Sequence, residues 1–228
     1  MQTLSQTWQV LCAFFIQDQG IVPYLLMFVP FVLFLELPLY VISWFGVFRY
    51  TARVSYATPF APPYTPKVTC AITCYAEGQA VQNTVVSLLE QAYSGHIEII
   101  ALVDGVQRNQ VTYQALKDLL PGISRYPKRT LIIIPKIQRG GRVSSLNAGL
   151  SRATGDILLA LDGDTSFDNQ MVQRASAHFQ NENVVAVTGP MRVRNARASI
   201  VTLLQSLEYM LSMQAGKLGL TEIDVINN

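Results

Sequence analysis

Gly140-Gly141-Arg142-Val-Ser-Ser-Leu146-Asn147-Ala-Gly149, followed after a short turn by Asp156-Ile157-Leu-Leu-Ala-Leu161-Asp162-Gly163-Asp164, decides how the chain is read. A glycine-basic turn opens a helix pattern, and an apolar strand then runs into two carboxylates flanking one glycine. In an open α/β sheet ligands bind beyond the carboxyl ends of the strands, where two hard oxygen ligands suit a divalent metal and a diphosphate. Alone, Asp-Gly-Asp is more often an acidic turn than a metal site, because both residue types are common in turns. The surrounding sequence weighs against that plainer reading.

Outward from this stretch, strand-like runs alternate with helical periods. Val68–Cys74 reads as a strand, 80–92 as a helix, 97–103 as a strand, 110–120 as a helix stopped by Pro121-Gly122, and 130–134 as a third strand. A helix over 143–153 and a strand over 156–161 follow, then a helix over 167–180 and a strand over 184–188. Such alternation specifies βαβ units and a mainly parallel sheet with helices on both faces. The helical period from Ala198 to Gly216 carries Ile200, Leu203, Leu204, Leu207 and Leu211 on one side. Packing on the sheet is the favoured reading, and an amphipathic helix on a membrane surface is the alternative.

Four strand ends carry the polar residues. Tyr75-Ala76-Glu77-Gly78 follows the first strand, Asp104-Gly105 the second, Lys136 through Arg142 the third and Asp162-Gly163-Asp164 the fourth. Carboxylates such as Glu77 and Asp104 accept hydrogen bonds from base N–H or ribose hydroxyl groups, and Arg142 offers a planar fork of donors to phosphate. Mg²⁺ or Mn²⁺ held by Asp162 or Asp164 would bridge phosphates and stabilise a leaving diphosphate.

The amino-terminal part differs in kind. No Lys or Arg precedes Arg49, and residues 21–48 are almost continuously apolar, longer than the ~20 residues that cross a hydrocarbon core. They read as one transmembrane helix, with Pro23, Pro30 and Pro38 tolerated as kinks and Glu36 as its one charge. A signal peptide is disfavoured by the missing basic n-region and the length of the run. Arg49 and Arg53 place the rest of the chain on the cytoplasmic side. Residues 1–20 are expected to form a peripheral segment, and 49–67, with Pro59, Pro62, Pro63 and Pro66, an extended linker before a domain over 68–228.

Three cysteines in a cytoplasmic chain argue for free thiols, and only two histidines leave no zinc-type ligand set. A net charge of +2 with scattered basic residues argues against a nucleic-acid partner.

Together these segments resemble the membrane-bound family 2 glycosyltransferases with a GT-A catalytic fold, of the processive cellulose, hyaluronan and poly-N-acetylglucosamine synthase kind. The resemblance runs from about Val68 to Tyr209. Ile72-Thr-Cys-Tyr-Ala-Glu-Gly78 is similar to the family's Pro-x-Tyr-Asn-Glu segment, and Val103-Asp104-Gly105 to its Asp-Asp-Gly. Gly141-Arg142-x-x-x-Leu146-Asn147-x-Gly149 resembles Gly-Lys-x-x-x-Leu-Asn-x-Gly, Leu161-Asp162-Gly163-Asp164-Thr165 resembles Asp-x-Asp-Thr, and Glu208-Tyr209 a Glu-Tyr on the next helix. The resemblance implies that Glu77 and Asp104 contact the nucleoside, Arg142 the base or diphosphate, and Asp162 and Asp164 the ribose-diphosphate and metal. It implies transfer of sugar from a nucleotide-sugar, UDP-sugar above all, to a growing polysaccharide by an inverting displacement at the inner face of the cell membrane.

Thr73 and Ala76 stand where the family prefers Pro and Asn, Val103 replaces the first Asp of the pair, and Arg142 replaces Lys. The family's Thr-Glu-Asp, which carries the general base, has no counterpart here, since Thr221-Glu222-Ile223-Asp224 comes too early and holds an extra residue. The expectation is a donor site whose catalytic base lies elsewhere. A non-catalytic, membrane-tethered nucleotide-sugar-binding subunit of a synthase complex is the alternative, and a partner membrane subunit would serve either.

Overall fold

The computed structural model describes residues 21–56 and 64–222, which fall into two compact units. Residues 21–56 belong with 189–222, and 64–188 form the other. The expected peripheral segment 1–20 and most of the proline-rich linker lie outside the described residues.

Two helices, α1 (Ile21–Phe31) and α2 (Leu37–Tyr56), are joined without a break by a π turn at Val32–Glu36. Proline explains the turn. Pro38 has no N–H to donate and its ring would strike the carbonyl of Phe34 in a regular α-helix. Widening the coil lets Leu37 donate to Val32 O, five residues back, and absorbs the misfit. The helix outlasts the apolar run and continues through Tyr56, because the next proline is Pro59 and nothing earlier stops the hydrogen-bond ladder. Residues Leu25–Ala52 are long and apolar enough to cross a membrane, and their large side chains are mostly exposed.

The second unit is a four-stranded parallel sheet, ordered β3-β2-β1-β4, with β1 (Val68–Cys74), β2 (Ile97–Val103), β3 (Arg129–Pro135) and β4 (Ile157–Asp162). Helices α3 (Val81–Leu89), α4 (Gln110–Lys117), α5 (Gly141–Leu150) and α6 (Met171–His178) provide the crossovers and flanks. β1 and β2 are central and almost wholly buried, which is why they read as continuous apolar runs. One face of the sheet, with Cys70, Ile72, Ile99 and Ala101, forms the main core with Val85, Leu88, Leu116 and Val172 of the helices. The other face packs Ala71, Ile100 and Leu102 under Leu146 and Ala148 of α5. Gly149 permits that approach, since a Cβ there would lie 3.0 Å from Leu102 Cδ1.

The apolar run Val184–Thr188 forms no strand. Val185 is 90 % exposed and no neighbouring strand pairs with the run among the described residues. Apolar alternation makes a strand only where a partner supplies the ladder, and here none does. Cys70 and Cys74 are free and buried, and burial raises the Cys70 thiol to about 12 and Cys74 higher still, so neither is a ready thiolate.

Helix α7 (Ile200–Tyr209) starts at a capping box formed by Ser199 and Thr202, and runs through a π segment, Met210–Gly216, into α8 (Lys217–Thr221). The favoured expectation placed this helix on the sheet, but it belongs to the unit of the apolar helix. Glycine is the reason. Gly46 of α2 and Gly219 of α8 bring two backbones so close that a Cβ on Gly46 would sit 2.0 Å from Gly219 O, and one on Gly219 2.1 Å from Ser43 O. Small residues at such crossings are how apolar helices associate without a hydrophobic drive between them. Arg49 and Glu222 close the contact at 3.7 Å.

A buried polar node that the sequence pattern did not reveal holds the second face of the sheet. Glu98 of β2 accepts hydrogen bonds from Thr69 Oγ1 (2.6 Å), Thr154 N (2.9 Å) and Thr154 Oγ1 (2.7 Å), joining β1, β2 and the turn before β4. Burial pushes its carboxyl up, but the Thr69 and Thr154 hydrogen bonds outweigh burial and hold it below the usual range. Its stabilisation is therefore complete above the ordinary glutamate pKa and fades as pH falls through the depressed value. Glu98→Gln, which turns one acceptor into a donor facing donors, should cost about 1–3 kcal/mol and lower Tm by several degrees at pH 7. At about pH 3 the gap to wild type should shrink. Circular dichroism melts of both proteins check this, and an equal Tm at pH 7 would refute it.

Candidate functional site

The strand register places the polar segments side by side. Cys74 pairs with Val103, Val103 with Pro135, and Thr73 with Asp162, so Tyr75, Asp104, Lys136 and Gly163 emerge at one edge. Asp104 N donates to Cys74 O, Lys136 N to Val103 O and Gly163 N to Thr73 O, extending the ladder by one step. A cleft of about 300 Å³ opens there, lined by Tyr75, Glu77, Arg139, Arg142, Asp162 and Asp164 over Cys74, Asp104 and Ser145. All five residues singled out from the sequence, Glu77, Asp104, Arg142, Asp162 and Asp164, line it.

Asp104 is the buried centre. Its Oδ1 accepts from Lys136 Nζ (2.8 Å) and Gly140 N (2.9 Å), and its Oδ2 from Gly141 N (2.8 Å). Burial raises its carboxyl, but Lys136 and the two amides more than offset this and keep it below the ordinary aspartate value. Gly141 has φ +77, a left-handed conformation natural to glycine, and it begins α5. The carboxylate therefore fixes the glycine turn and satisfies orphan donors at the start of a helix. Lys136 also donates to Ser144 and Ser145 Oγ, both at 3.1 Å. The sequence places Lys136 among the polar strand ends, but its pairing with Asp104 was not visible there, because a lysine after a strand looks like surface punctuation.

The loop after β1 is tied to the same strand end. Asn109 Nδ2 donates to Asp104 O (2.6 Å), while Ala76 N donates to Asn109 Oδ1 (2.8 Å) and Gly78 N to Thr112 Oγ1 (2.9 Å). Ala76 adopts φ +69, where a side chain other than Asn or Asp is uncommon, so the departure from Asn at this position is carried as local strain. The buried Asn109 amide supplies the bonds that hold it.

Asp162 and Asp164 flank a glycine with no room for a side chain. A Cβ on Gly163 would lie 2.9 Å from Thr73 O and 3.2 Å from the Glu77 carboxyl, and Thr84 Oγ1 donates to Gly163 O at 2.8 Å. Gly163 is thus clamped between β1 and α3 while both neighbouring carboxylates reach the cleft. Asp162 Oδ1 pairs with Arg142 Nη2 at 3.1 Å, with both side chains about half exposed. Thr165 Oγ1 donates to Asp164 Oδ1 at 3.3 Å. Glu77 Oε2 is buried without a hydrogen-bond partner, a donor-seeking oxygen beside the pair. Arg139 lies over the Tyr75 ring at 4.0 Å, a cation–π contact that sequence spacing did not foretell.

Among the described residues no group of three or more His, Cys, Asp and Glu is arranged to hold a metal. The two adjacent carboxylates nonetheless fit Mg²⁺ or Mn²⁺, because such ions commonly take one or two protein carboxylates and complete their shell with phosphate and water.

A parallel sheet whose carboxyl edge gathers an acidic pair, a glycine turn and two arginines defines an α/β domain suited to an anionic, hydroxyl-rich ligand. The chain belongs to glycosyl transferase family 2, whose model matches residues 69–222. It is 28 % identical over 128 residues to an N-acetylglucosaminyltransferase of Azorhizobium caulinodans, covering 56 % of this chain and 31 % of that protein. It is 28 % identical over 136 residues to a poly-beta-1,6-N-acetyl-D-glucosamine synthase of Staphylococcus aureus, covering 59 % and 31 %. The chain thus spans about a third of the length of these relatives. Among solved structures, the mannosyltransferase PcManGT from Pyrobaculum calidifontis, in complex with GDP-Man and Mn2+, aligns with TM-score 0.48 and 19 % identity over 69 % of this chain and 48 % of that one.

Asp104→Asn removes the charge that holds Lys136 and one of the acceptors for the glycine turn. Exchange of the Gly140 and Gly141 amide hydrogens should accelerate about 10- to 100-fold, equivalent to ~1–3 kcal/mol, while β2 amides such as Ile100 keep their protection. Hydrogen-exchange mass spectrometry reads both, and unchanged protection of the turn would contradict the assignment.

Proposed function

We propose that this chain is the donor-binding part of a membrane-anchored glycosyltransferase that moves a sugar from a nucleotide-sugar, UDP-sugar by preference, to a growing polysaccharide. The carrying observation is the Asp162-Gly163-Asp164 clamp at the end of β4, with both carboxylates and Arg142 on one cleft. Family membership supports the reaction class, and the apolar helix at Leu25–Ala52 supports anchoring with the sheet unit on the cytoplasmic side.

In this reading Asp162 and Asp164 hold Mg²⁺ or Mn²⁺ with the donor diphosphate. When bound, the ion supplies positive charge against the leaving diphosphate. Arg142 leaves Asp162 for a phosphate oxygen, an exchange of one anionic partner for another that costs little because the pair is half exposed. Glu77 Oε2 accepts from a ribose hydroxyl or a base N–H, satisfying the one unpaired buried carboxylate oxygen of the cleft. Asp104 acts through position: its oxygens already accept three hydrogen bonds, so it presents the turn and Arg142 while contributing little free capacity to the nucleoside. An acceptor hydroxyl, deprotonated by a base outside this cleft, attacks the anomeric carbon as the bond to the diphosphate breaks, inverting the configuration.

Calorimetric titration of the detergent-solubilised chain with UDP, with and without Mn²⁺, tests the reading. Metal-dependent binding should weaken at least ~10-fold, or ~1.4 kcal/mol, in the Asp162→Asn/Asp164→Asn variant. Binding that ignores both Mn²⁺ and the substitutions would sink the assignment of the acidic pair.

A further inference from the structure

Arg139 lines the cleft with its hydrogen-bonding capacity unspent. Its guanidinium lies over the Tyr75 ring, 4.0 Å from the ring centre, and makes no hydrogen bond or ion pair among the described residues. The neighbouring cations are engaged. Lys136 Nζ donates to Asp104, Ser144 and Ser145, and Arg142 pairs with Asp162. A ring face holds a guanidinium through its charge and leaves the planar edge, a fork of N–H groups, for whatever enters.

The sheet order says which part of a nucleotide-sugar Arg139 meets. The strands run β3-β2-β1-β4, so Asp162 and Asp164 after β4 lie at one end of the cleft and Arg139 follows β3 at the other. Its backbone packs on the turn after β2, since a Cβ on Gly105 would lie 3.4 Å from Arg139 Cβ and 3.7 Å from its Cα. Glu77 stands at the acidic end, with its carboxyl 3.2 Å from where a Gly163 Cβ would be. With the diphosphate and its ion at the acidic pair, the end beside Tyr75 and Asp104 is left for the nucleobase. Asp104 has little capacity to read a base there, because its oxygens already accept from Lys136, Gly140 and Gly141. Arg139 supplies that end with unspent N–H groups.

We propose that Arg139 is the specificity-determining residue for the nucleobase, selecting a base that presents a ring carbonyl, uracil over cytosine. The proposal rests on the nucleotide-sugar reading above and adds to it the residue that reads the nucleoside. Uracil offers the acceptor O4 where cytosine carries an amino group, itself a donor. A guanidinium fork facing O4 gains charge-assisted hydrogen bonds, whereas facing the amino group it sets donor against donor and leaves both unpaired. Arginine–base pairs of this kind discriminate between bases by on the order of 10- to 100-fold. The Tyr75 ring holds the guanidinium before the ligand arrives, so less side-chain freedom is lost on binding.

Calorimetric titration of the detergent-solubilised chain with UDP and with CDP, both in saturating Mn²⁺, tests it, because the two ligands share one diphosphate and differ in the base. Wild type should bind UDP ~10- to 100-fold more tightly than CDP. Arg139→Met, which keeps a long stem without N–H groups, should abolish that preference by weakening UDP and leaving CDP almost unchanged. Arg139→Lys keeps the charge without the planar fork and should show an intermediate preference. The side chain is exposed, so both variants should melt with wild type. A wild type without preference, or a preference that survives in Arg139→Met, overturns the proposal. Equal weakening of both nucleotides would mean that Arg139 serves the diphosphate, which overturns it while the nucleotide-sugar reading stands. Failure of wild type to bind UDP at all would remove that reading and this proposal together.

Discussion

The cleft depends on one buried carboxylate. Asp104 sits where β2 ends, and its two oxygens collect the ammonium that ends β3 and two amides at the start of α5. Without it the site would gather three uncompensated donors, one of them charged, in a place sheltered from water. With it, the segment from Lys136 to Arg142 becomes a fixed wall. Charge-assisted bonds of this kind are shorter and stronger than neutral ones, which suits a loop that must keep its shape while a ligand enters. The same carboxylate occupies the amides at the amino end of α5 that would otherwise be open to a phosphate. Two arginines, Arg139 and Arg142, line the cleft beside this turn.

Those arginines are held in different ways. Arg142 rests on Asp162, a half-exposed pair whose attraction is largely screened by water, so each member is easily transferred to a better partner. Arg139 rests on the Tyr75 ring, which holds the guanidinium plane without consuming its hydrogen-bond donors. The cleft thus keeps opposite charges close enough to limit repulsion while leaving the donor capacity of Arg139 free for a ligand. Gly163 completes the arrangement from below, since its missing side chain lets the acidic pair approach β1 and brings Glu77 alongside.

The parallel sheet was legible because each crossover repeats one pattern. An apolar run that must be buried on both faces, a polar residue at its carboxyl end and an amphipathic helix together leave little choice of architecture. The meeting of Glu77, Asp104, Arg142, Asp162 and Asp164 on one cleft was legible for the same reason, since parallel strands in register deliver their carboxyl-terminal loops to one edge. The features that stayed hidden depend on partners distant in sequence. Val184–Thr188 has the composition of a strand but finds no ladder, and Glu98 looks like a solvent-facing residue until Thr69 and Thr154 meet it. The bonds Asp104 makes to Lys136, Gly140 and Gly141 were hidden likewise, because a carboxylate aimed at a ligand and one aimed at a neighbouring turn have the same sequence signature. The placement of α7 and α8 turned on two glycines 173 positions apart by their numbers, Gly46 and Gly219, and no local pattern reports such a pairing.

The opposite pole of the sheet shows the same construction with the charge reversed. Arg129, at the start of β3, donates to the carbonyls of Leu89 (3.3 Å), Gln91 (2.9 Å), Tyr93 (2.7 Å) and Gly95 (3.0 Å), gathering the connection from α3 to β2. A cation suits the carboxyl end of a helix and its orphan carbonyls, as an anion suits the amino end that Asp104 serves. Loops at both poles are therefore fastened by a charged side chain bonded to backbone, buried at Asp104 and half-buried at Arg129, a device that needs no apolar surface and leaves loop sequence free. Arg129 is lowered from its ordinary value by burial but stays charged, and its pole holds no acidic pair among the described residues. The acidic pair separates the two ends: Asp104 and Arg129 both hold backbone in place, and the carboxyl edge adds Asp162 and Asp164 on the cleft.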